Sequence, residues 1–389
     1  MPGVVDLSLT DEQETLRNTV AEFARQEVAP VIGDLYERGE FPYDLVRRMG
    51  QMGLFGLPFP EDVGGMGGDL FTFGLALEEL ARVDSSVAIT LEAAVSLGAM
   101  PVHRFGSAAQ RDTWLPRLTS GERLGAFGLT EPGGGTDTAA PRTTARLDAD
   151  GWVVSGSKAF ITNSGTDLTA FVVVTAATGT GDGRPEVSSL LVPSGTAGLT
   201  IGPAYSKVGW RCSDTHEVAL TDVRLGADAL VGPRGRGHAQ FLSILDEGRI
   251  AIAALGTGLA QGCVDEAVRY ANERSAFGRA IGANQALAFQ VADMGVRAHT
   301  SRLAWYDAAW RAVTGRPFRK QAALAKLVSS EAAVDNARAA VQVFGGYGFM
   351  NDSPVGRFYR DAKILEIGEG TSEVQRMILA HELGLPRSR

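Results

Sequence analysis

The sequence predicts an α+β protein in three consecutive parts: a helical domain over residues 1–125, a β domain over 126–237 and a helical bundle over 238–389. Two changes of texture predict it. Apolar residues recur at helical spacing up to about residue 125, short β-branched runs separated by turn residues follow, and long amphipathic stretches close the chain.

The first part opens with "TDEQETLRNTVAEFARQEVAPVI". Thr10 and Gln13 form a capping-box pattern, and Leu16, Val20, Phe23 and Ala24 supply the apolar face. "FPYDLVRRMGQMGLFGL", "FTFGLALEELARVDSSVAITLEAAVSLGAM" and "SAAQRDTWLPRLTSG" continue the spacing, and "PFPEDVGGMGGDL" breaks it. The second part carries "GWVVSGSKAFIT", "TAFVVVTAAT", "VSSLLVPSG", "LTIGPAYSKVGW" and "THEVALTDVRL", with "TGTGDGRPE" as a flexible hairpin tip. Strands so evenly spaced, without helices between them, predict a compact antiparallel barrel or sandwich. The third part holds three or four long amphipathic helices with short joins, the pattern of a bundle.

Composition narrows the function. Apolar residues make up 44% and charged residues 21%, as in ordinary globular proteins. A net charge of −8 offers no electrostatic footprint for nucleic acid or anionic lipid. Cys212 and Cys263 are too few for a disulfide framework, which fits a reducing compartment. The N-terminus lacks a basic region followed by an apolar run, and no apolar stretch reaches the ~18 residues that span a bilayer. The expectation is a cytoplasmic protein.

Several motifs fail on inspection. "GWVVSGSK" approximates a phosphate-binding loop, but its lysine follows Ser157 rather than glycine and its middle is strand-like. G-x-G-x-x-G and G-x-S-x-G are absent. Cys212 and His216 lie four apart, a single pair for which packing is the default, and no metal site is expected.

Three glycine-rich segments remain. "FGLTEPGGGTDTAA" places three consecutive glycines where helix gives way to strand, and its backbone N–H groups, Thr130 and Thr136 can donate to a flat or phosphorylated ligand. "QVFGGYGF" is a second cluster, where Gly345 or Gly346 can also be a plain helix C-cap. "KILEIGEGTSEVQR" sets Glu369 between two glycines. Ser372 and Gln375 fit a capping box there, which leaves Glu369 and its glycines unexplained.

Together these segments make the chain resemble the acyl-CoA dehydrogenases along nearly its whole length. "GLTEPGGGTD" looks like that family's first signature and "QVFGGYGF…RDAKILEIGEGTSEVQR" like its second. The resemblance implies an N-terminal helical domain, a middle antiparallel β-barrel and a C-terminal four-helix bundle enclosing FAD, in a homotetramer. It also implies that Glu369 is the catalytic base, its backbone N–H and a flavin ribityl hydroxyl polarising the thioester carbonyl while the β-hydrogen leaves as hydride to the flavin. Some members place the base on the helix that opens the bundle; the matching position here is Gly248, beside Glu247.

The resemblance assigns further roles. Phe127, Leu129, Thr130 and Thr136 would contact flavin or its phosphates, with Thr136 also near the CoA arm. Phe160 and Thr162 match the family's Trp-Ile-Thr, with phenylalanine in place of tryptophan. Arg274, Phe277 and Gln285 would bind the FAD of a neighbouring subunit, with Gln342, Gly345 and Gly346 completing that site. Thr371 and Glu373 would hold FAD near the base, and Asp246, Arg249 and Gly370 would contact substrate.

The acyl group follows less directly. Gly368 stands where many straight-chain members carry tyrosine, which predicts a pocket for a short or branched chain, as in fatty-acid or branched-chain amino-acid breakdown. No arginine lies where glutaryl-specific relatives place one, and Glu92 on that mostly apolar helix faces either the acyl pocket or solvent. The leading expectation is a dehydrogenase passing electrons to an electron-transfer flavoprotein. The alternatives are an oxidase, a dehydrogenase for acyl groups tethered to a carrier protein, and a non-catalytic binding protein on the same fold.

Overall fold

The computed structural model describes residues 8–181 and 184–386. Helices α1 (Asp11–Phe23), α2 (Ala29–Arg38), α3 (Tyr43–Gln51), α4 (Leu70–Ala81), α5 (Ser85–Glu92), α6 (Met100–Phe105) and α7 (Ala108–Thr119) form the first part. Thr10 caps α1 with the expected box, its side chain accepting from Gln13 N while the Gln13 side chain accepts from Thr10 N.

Two helices run through prolines, residues that ordinarily stop a helix. A π-helical turn, Ala24–Val28, joins α1 to α2 just before Pro30, and a second, Ala93–Ala99, joins α5 to α6 just before Pro101. A proline ring crowds the carbonyl four residues back and has no N–H for it. The wider turn moves the preceding bonds to the fifth residue back, Ala29 N to Ala24 O and Met100 N to Val95 O. The resulting run, Ser85–Phe105, is long and apolar enough on composition to cross a bilayer, which counting uninterrupted apolar residues overlooks. It is instead a core helix, with 89% of that window buried inside the protein.

Strands β1 (Leu124–Gly128), β2 (Thr144–Asp148), β3 (Gly151–Thr162), β4 (Thr169–Gly181), β5 (Arg184–Pro193), β6 (Leu199–Ala204), β7 (Thr215–Leu225) and β8 (Leu230–Val231) make one sheet in the order β6-β7-β3-β2-β4-β5-β8, with β1 beside β4. The sheet is largely antiparallel, with parallel pairing of β1 to β4 and of β2 to β4 at Thr144 and Ala177. It has its own core, with Trp152, Val154, Ile161, Val172, Leu190 and Val218 among its residues. Of the expected hairpin tip, Asp182 and Gly183 lie outside the described residues, as do residues 1–7 of the N-terminal segment; Gly181 pairs with Arg184 across the tip.

Helices α8 (Gly237–Glu273), α9 (Gln285–Val313) and α10 (Arg319–Phe344) are the long members of the bundle, and α11 (Pro354–Leu365) and α12 (Ser372–Glu382) pack on α10. A short hairpin, β9 (Ser275–Ala276) and β10 (Arg279–Ala280), follows α8. Helix α4 packs along α8, so a single apolar core joins the two helical parts.

Candidate active site

The turn between α11 and α12 sets the geometry. Glu369 itself takes the left-handed backbone conformation, φ 51°, followed by Gly370 at φ 92°. A non-glycine residue there costs roughly 1–2 kcal/mol. The turn is held by its carbonyl: Gly370 O accepts from Lys326 Nζ and from Gln375 Nε2, each at 2.8 Å. Lys326 is fully buried, and burial lowers its pKa to about 8 against the opposing pull of Glu369. Helix α12 is capped by Thr371, whose hydroxyl accepts from Val374 N, and not by the expected Ser372 box; Gln375 serves the turn instead.

Both carboxylate oxygens of Glu369 are buried and lack a hydrogen-bond partner. So are both oxygens of Glu92, a fully buried residue at the end of α5, which corrects any solvent-facing reading of it. The two carboxyl groups act on each other, and Ser96 of the second π turn acts on Glu92. Burial raises the pKa of both. Lys326 and Arg249 pull that of Glu369 back down, whereas Glu92 has no cation among its perturbing groups.

Helix α8 forms the facing wall. A Cβ built on Gly248 would lie 2.2 Å from Glu369 Oε2, so the carboxylate rests against the bare backbone of that helix turn. A carboxylate carried at 248 and one carried at 369 would thus compete for the same space. Glu247 points elsewhere, paired with Arg104 at 2.6 Å beside a cavity of about 190 Å³ that Ser96, Phe73, Val95 and Ile244 also line. Arg249 is buried and bonds to Asp246. Its Nε has no partner.

The residues expected around the flavin fall into two groups. Phe127 ends β1 with its ring stacked on Phe241, centroids 4.5 Å apart. Leu129 and Thr130 follow, and Ala159 N donates to Thr130 O at 2.9 Å, which brings them beside Phe160 and Thr162 of β3. Phe160 is 66% exposed at φ 62°, its ring against Tyr205, so an aromatic face is presented outward on a strained backbone. Thr136 lies exposed in the glycine loop. That loop is anchored by Glu131, which accepts from Lys158 Nζ, Arg142 N and Thr143 N at 2.7–3.0 Å. Burial alone would raise the Glu131 pKa, but these donors hold it near 2.

The second group sits at the outer end of the bundle. Arg274 lies over the Tyr347 ring, joining the β9–β10 hairpin to the turn after α10. Phe277 is fully exposed at φ 53°, and Gln285, Gln342, Gly345 and Gly346 are also surface-facing. Gly345 does cap α10. Nothing lies within 4 Å of a Cβ built on Gly346, so packing inside this chain does not demand glycine there, whereas a ligand or second chain approaching the backbone would. Both groups therefore suit a large flat cofactor, one supplying walls and one an open rim. Cys212 and His216 form no joint site: His216 bonds to Asp214 and to Gly202 O.

Models described as the acyl-CoA dehydrogenase N-terminal, middle and C-terminal domains match residues 10–122, 126–223 and 235–384. The chain belongs to the acyl-CoA dehydrogenase family. It is 45% identical to a probable acyl-CoA dehydrogenase of Bacillus subtilis over 97% of this chain and 100% of that one. It is 41% identical to the short-chain specific acyl-CoA dehydrogenase of Clostridium acetobutylicum, again over 97% and 100%. The structure of butyryl-CoA dehydrogenase from Megasphaera elsdenii superposes with a TM-score of 0.93 at 38% identity, covering 97% of this chain and 99% of that one.

Three parts of this acyl-CoA dehydrogenase escaped the sequence reading. Lys326 had a signal: Ala322, Ala325, Lys326, Ser329 and Ala333 share one buried helical stripe, an odd place for an unpaired lysine. The Glu131–Lys158 pair had none, since its members lie in different elements. The meeting of Glu92 with Glu369 is likewise a product of the fold.

Proposed function

We propose that this acyl-CoA dehydrogenase oxidises a short or branched acyl-CoA to its trans-2-enoyl thioester, with Glu369 removing the α-proton. The observation that carries it is the buried Glu369 carboxylate, with Oε2 pressed against Gly248 and no amide, hydroxyl or cation bonded to either oxygen: an oxygen without such a donor is available to a C–H proton. The Glu369 N–H has no backbone acceptor among the described residues, so it can donate to the thioester carbonyl as negative charge develops there. Burial raises the carboxyl's proton affinity, which strengthens the base, while Lys326 and Arg249 limit that rise.

Phe127, Leu129, Thr130, Thr136, Phe160 and Thr162 hold FAD, with Thr371 and Glu373 beside it; Arg274, Phe277, Gln285, Gln342, Gly345 and Gly346 hold it from a second subunit. FAD supplies the acceptor for the β-hydrogen and its electron pair. Exposed Phe277, Phe289, Tyr347 and Phe349 on that rim support a homo-oligomer, a tetramer on the family pattern, that covers them. Asp246, Arg249, Thr136 and Gly370 contact the thioester and its CoA arm. Gly368 supports the short or branched chain: its φ is not positive and a Cβ there would meet only Ile364 O, at 3.5 Å, so its smallness serves space rather than backbone. Electron-transfer flavoprotein is the acceptor that reoxidises the enzyme, in the cytoplasm.

The test is an anaerobic titration of the yellow holoenzyme with butyryl-CoA and with isovaleryl-CoA, following flavin absorbance. Bleaching by either is the expected result. Bound FAD that neither thioester bleaches would overturn the assignment of a short or branched acyl-CoA.

A further inference from the structure

Two carboxyl groups meet in the base pocket where deprotonation of substrate needs one. Glu92 reaches it from the end of α5, at the point where the helix widens into the π turn Ala93–Ala99. Such turns are rare and recur at functional sites. Glu92 is completely buried, and neither of its oxygens has a hydrogen-bond partner. An ionised carboxylate so placed would be a large cost with no evident return, and two ionised carboxylates side by side in a dry pocket would repel strongly. One proton therefore stays on the pair.

The neighbours decide which member carries it. Lys326 of α10 bonds to the carbonyl of Gly370, the residue after Glu369, and Arg249 follows Gly248, against which the Glu369 carboxylate rests; both cations favour its ionised form. Asp246 bonds to Arg249, and Glu366 and Glu373 act on Lys326, so the two cations are themselves partly balanced. The groups that act on Glu92 are Glu369 and the Ser96 hydroxyl, with no cation between them. Positive charge thus lies on the Glu369 side of the pair and the proton on the Glu92 side.

We propose that Glu92 is a positioning residue for Glu369: it carries the single proton of the pair and donates it to the Glu369 carboxylate, so the base is ionised and aimed before substrate arrives. This rests on the reading of Glu369 as base. When the acyl thioester enters, the Glu369 oxygen facing Gly248 is the one left to take the α-proton, and Glu92 keeps its own. No net proton is gained or lost by Glu92 in the cycle.

The test measures kcat/KM against pH in the holoenzyme for wild type, Glu92→Gln and Glu92→Leu. A general base must be ionised, so activity falls as pH drops through its pKa, and removing a donor to the ionised form moves that fall to higher pH. Glu92→Leu should shift the acid limb upward, lowering kcat/KM on that limb roughly ten- to a hundredfold, the worth of a hydrogen bond to a charged group. Glu92→Gln keeps a neutral donor and should hold the limb at its wild-type position. The infrared spectrum of the resting holoenzyme should show a protonated-carboxyl band that Glu92→Gln removes. A limb that stays put in Glu92→Leu, or moves to lower pH in both variants, would overturn the proposal, as would a carboxyl band removed by Glu369→Gln instead. Glu369→Gln run alongside separates the two readings: if it retains turnover, the base assignment itself has failed.

Discussion

Asp84 with Asp361 and Glu92 with Glu369 are buried carboxyl pairs built in opposite ways. Asp84 and Asp361 meet at the junction of the three parts of the chain. Asp361 accepts from the Tyr36 hydroxyl, from Ser85 Oγ and from Trp210 N, the latter two at 2.7 Å. Asp84 caps α5 through Ser86 N and Val87 N and is paired with Arg357 at 2.8 Å. Tyr36, Asp84 and Ser85 belong to the first helical part, Trp210 to the β part and Arg357 and Asp361 to the last. Glu92 and Glu369, by contrast, face each other with no amide or cation bonded to any of their four oxygens, the Ser96 hydroxyl being the one such group that acts on Glu92. Burial raises the pKa of all four groups, to about 6 for Asp361. The saturated pair fastens the parts together, and in the proposed chemistry the unsaturated pair keeps its capacity for a substrate proton. Burial alone does not distinguish structure from chemistry; the donor count does.

Breaking the saturated pair should cost stability and spare chemistry. Arg357→Met leaves Asp84 buried without its cation, and a fall of about 3–5 kcal/mol in unfolding free energy is expected. Turnover per folded molecule should be retained at a permissive temperature; calorimetry and kcat on the same preparation check both. Disturbing the unsaturated pair should do the reverse. Gly248→Ala places a methyl where the Glu369 carboxylate rests, and the flexible side chain yields rather than the helix. The melting temperature should hold while kcat drops about a hundredfold, the usual penalty of a 1 Å misplacement.

Lys326→Met should fall between these. It removes a charged donor from Gly370 O, a loss of about 1.5–3 kcal/mol in holding the turn. It also removes a cation that lowers the Glu369 pKa, so the acid limb of kcat/KM should move to higher pH. The smallest effect concerns Glu131, whose folded pKa of about 2 lies below the ordinary value of 4.5. Its contribution to stability is present above pH 4.5 and is lost as pH falls toward 2. Acid unfolding followed at the β domain should flatten over that window in Glu131→Gln.

The contrast between the two pairs also explains what the sequence revealed. The α–β–α order was legible because periodicity is local, and Thr10 to Gln13 declared its cap because the box closes within one turn. The turn that carries Glu369 stood out because two glycines and a signature surround it. Glu92 was not, since its meaning depends on a turn 277 residues away in the chain coming to the same pocket. Pro30 fell inside a helical stretch and Pro101 just beyond one; such residues normally stop helices, and here a π turn absorbs each. The capping box at Ser372 misled because Thr371, one residue earlier, was the better-placed hydroxyl and Gln375 had a carbonyl to hold.

The most direct test of the proposed chemistry is the rate of flavin bleaching when anaerobic holoenzyme is mixed with butyryl-CoA, compared between wild type and Glu369→Gln. With FAD content and melting temperature unchanged, the variant should bleach roughly 10²–10⁴-fold more slowly, the range expected for losing a general base. Bleaching within a few-fold of wild type would contradict the assignment of Glu369 and with it the reading of the unsaturated pair as the catalytic one.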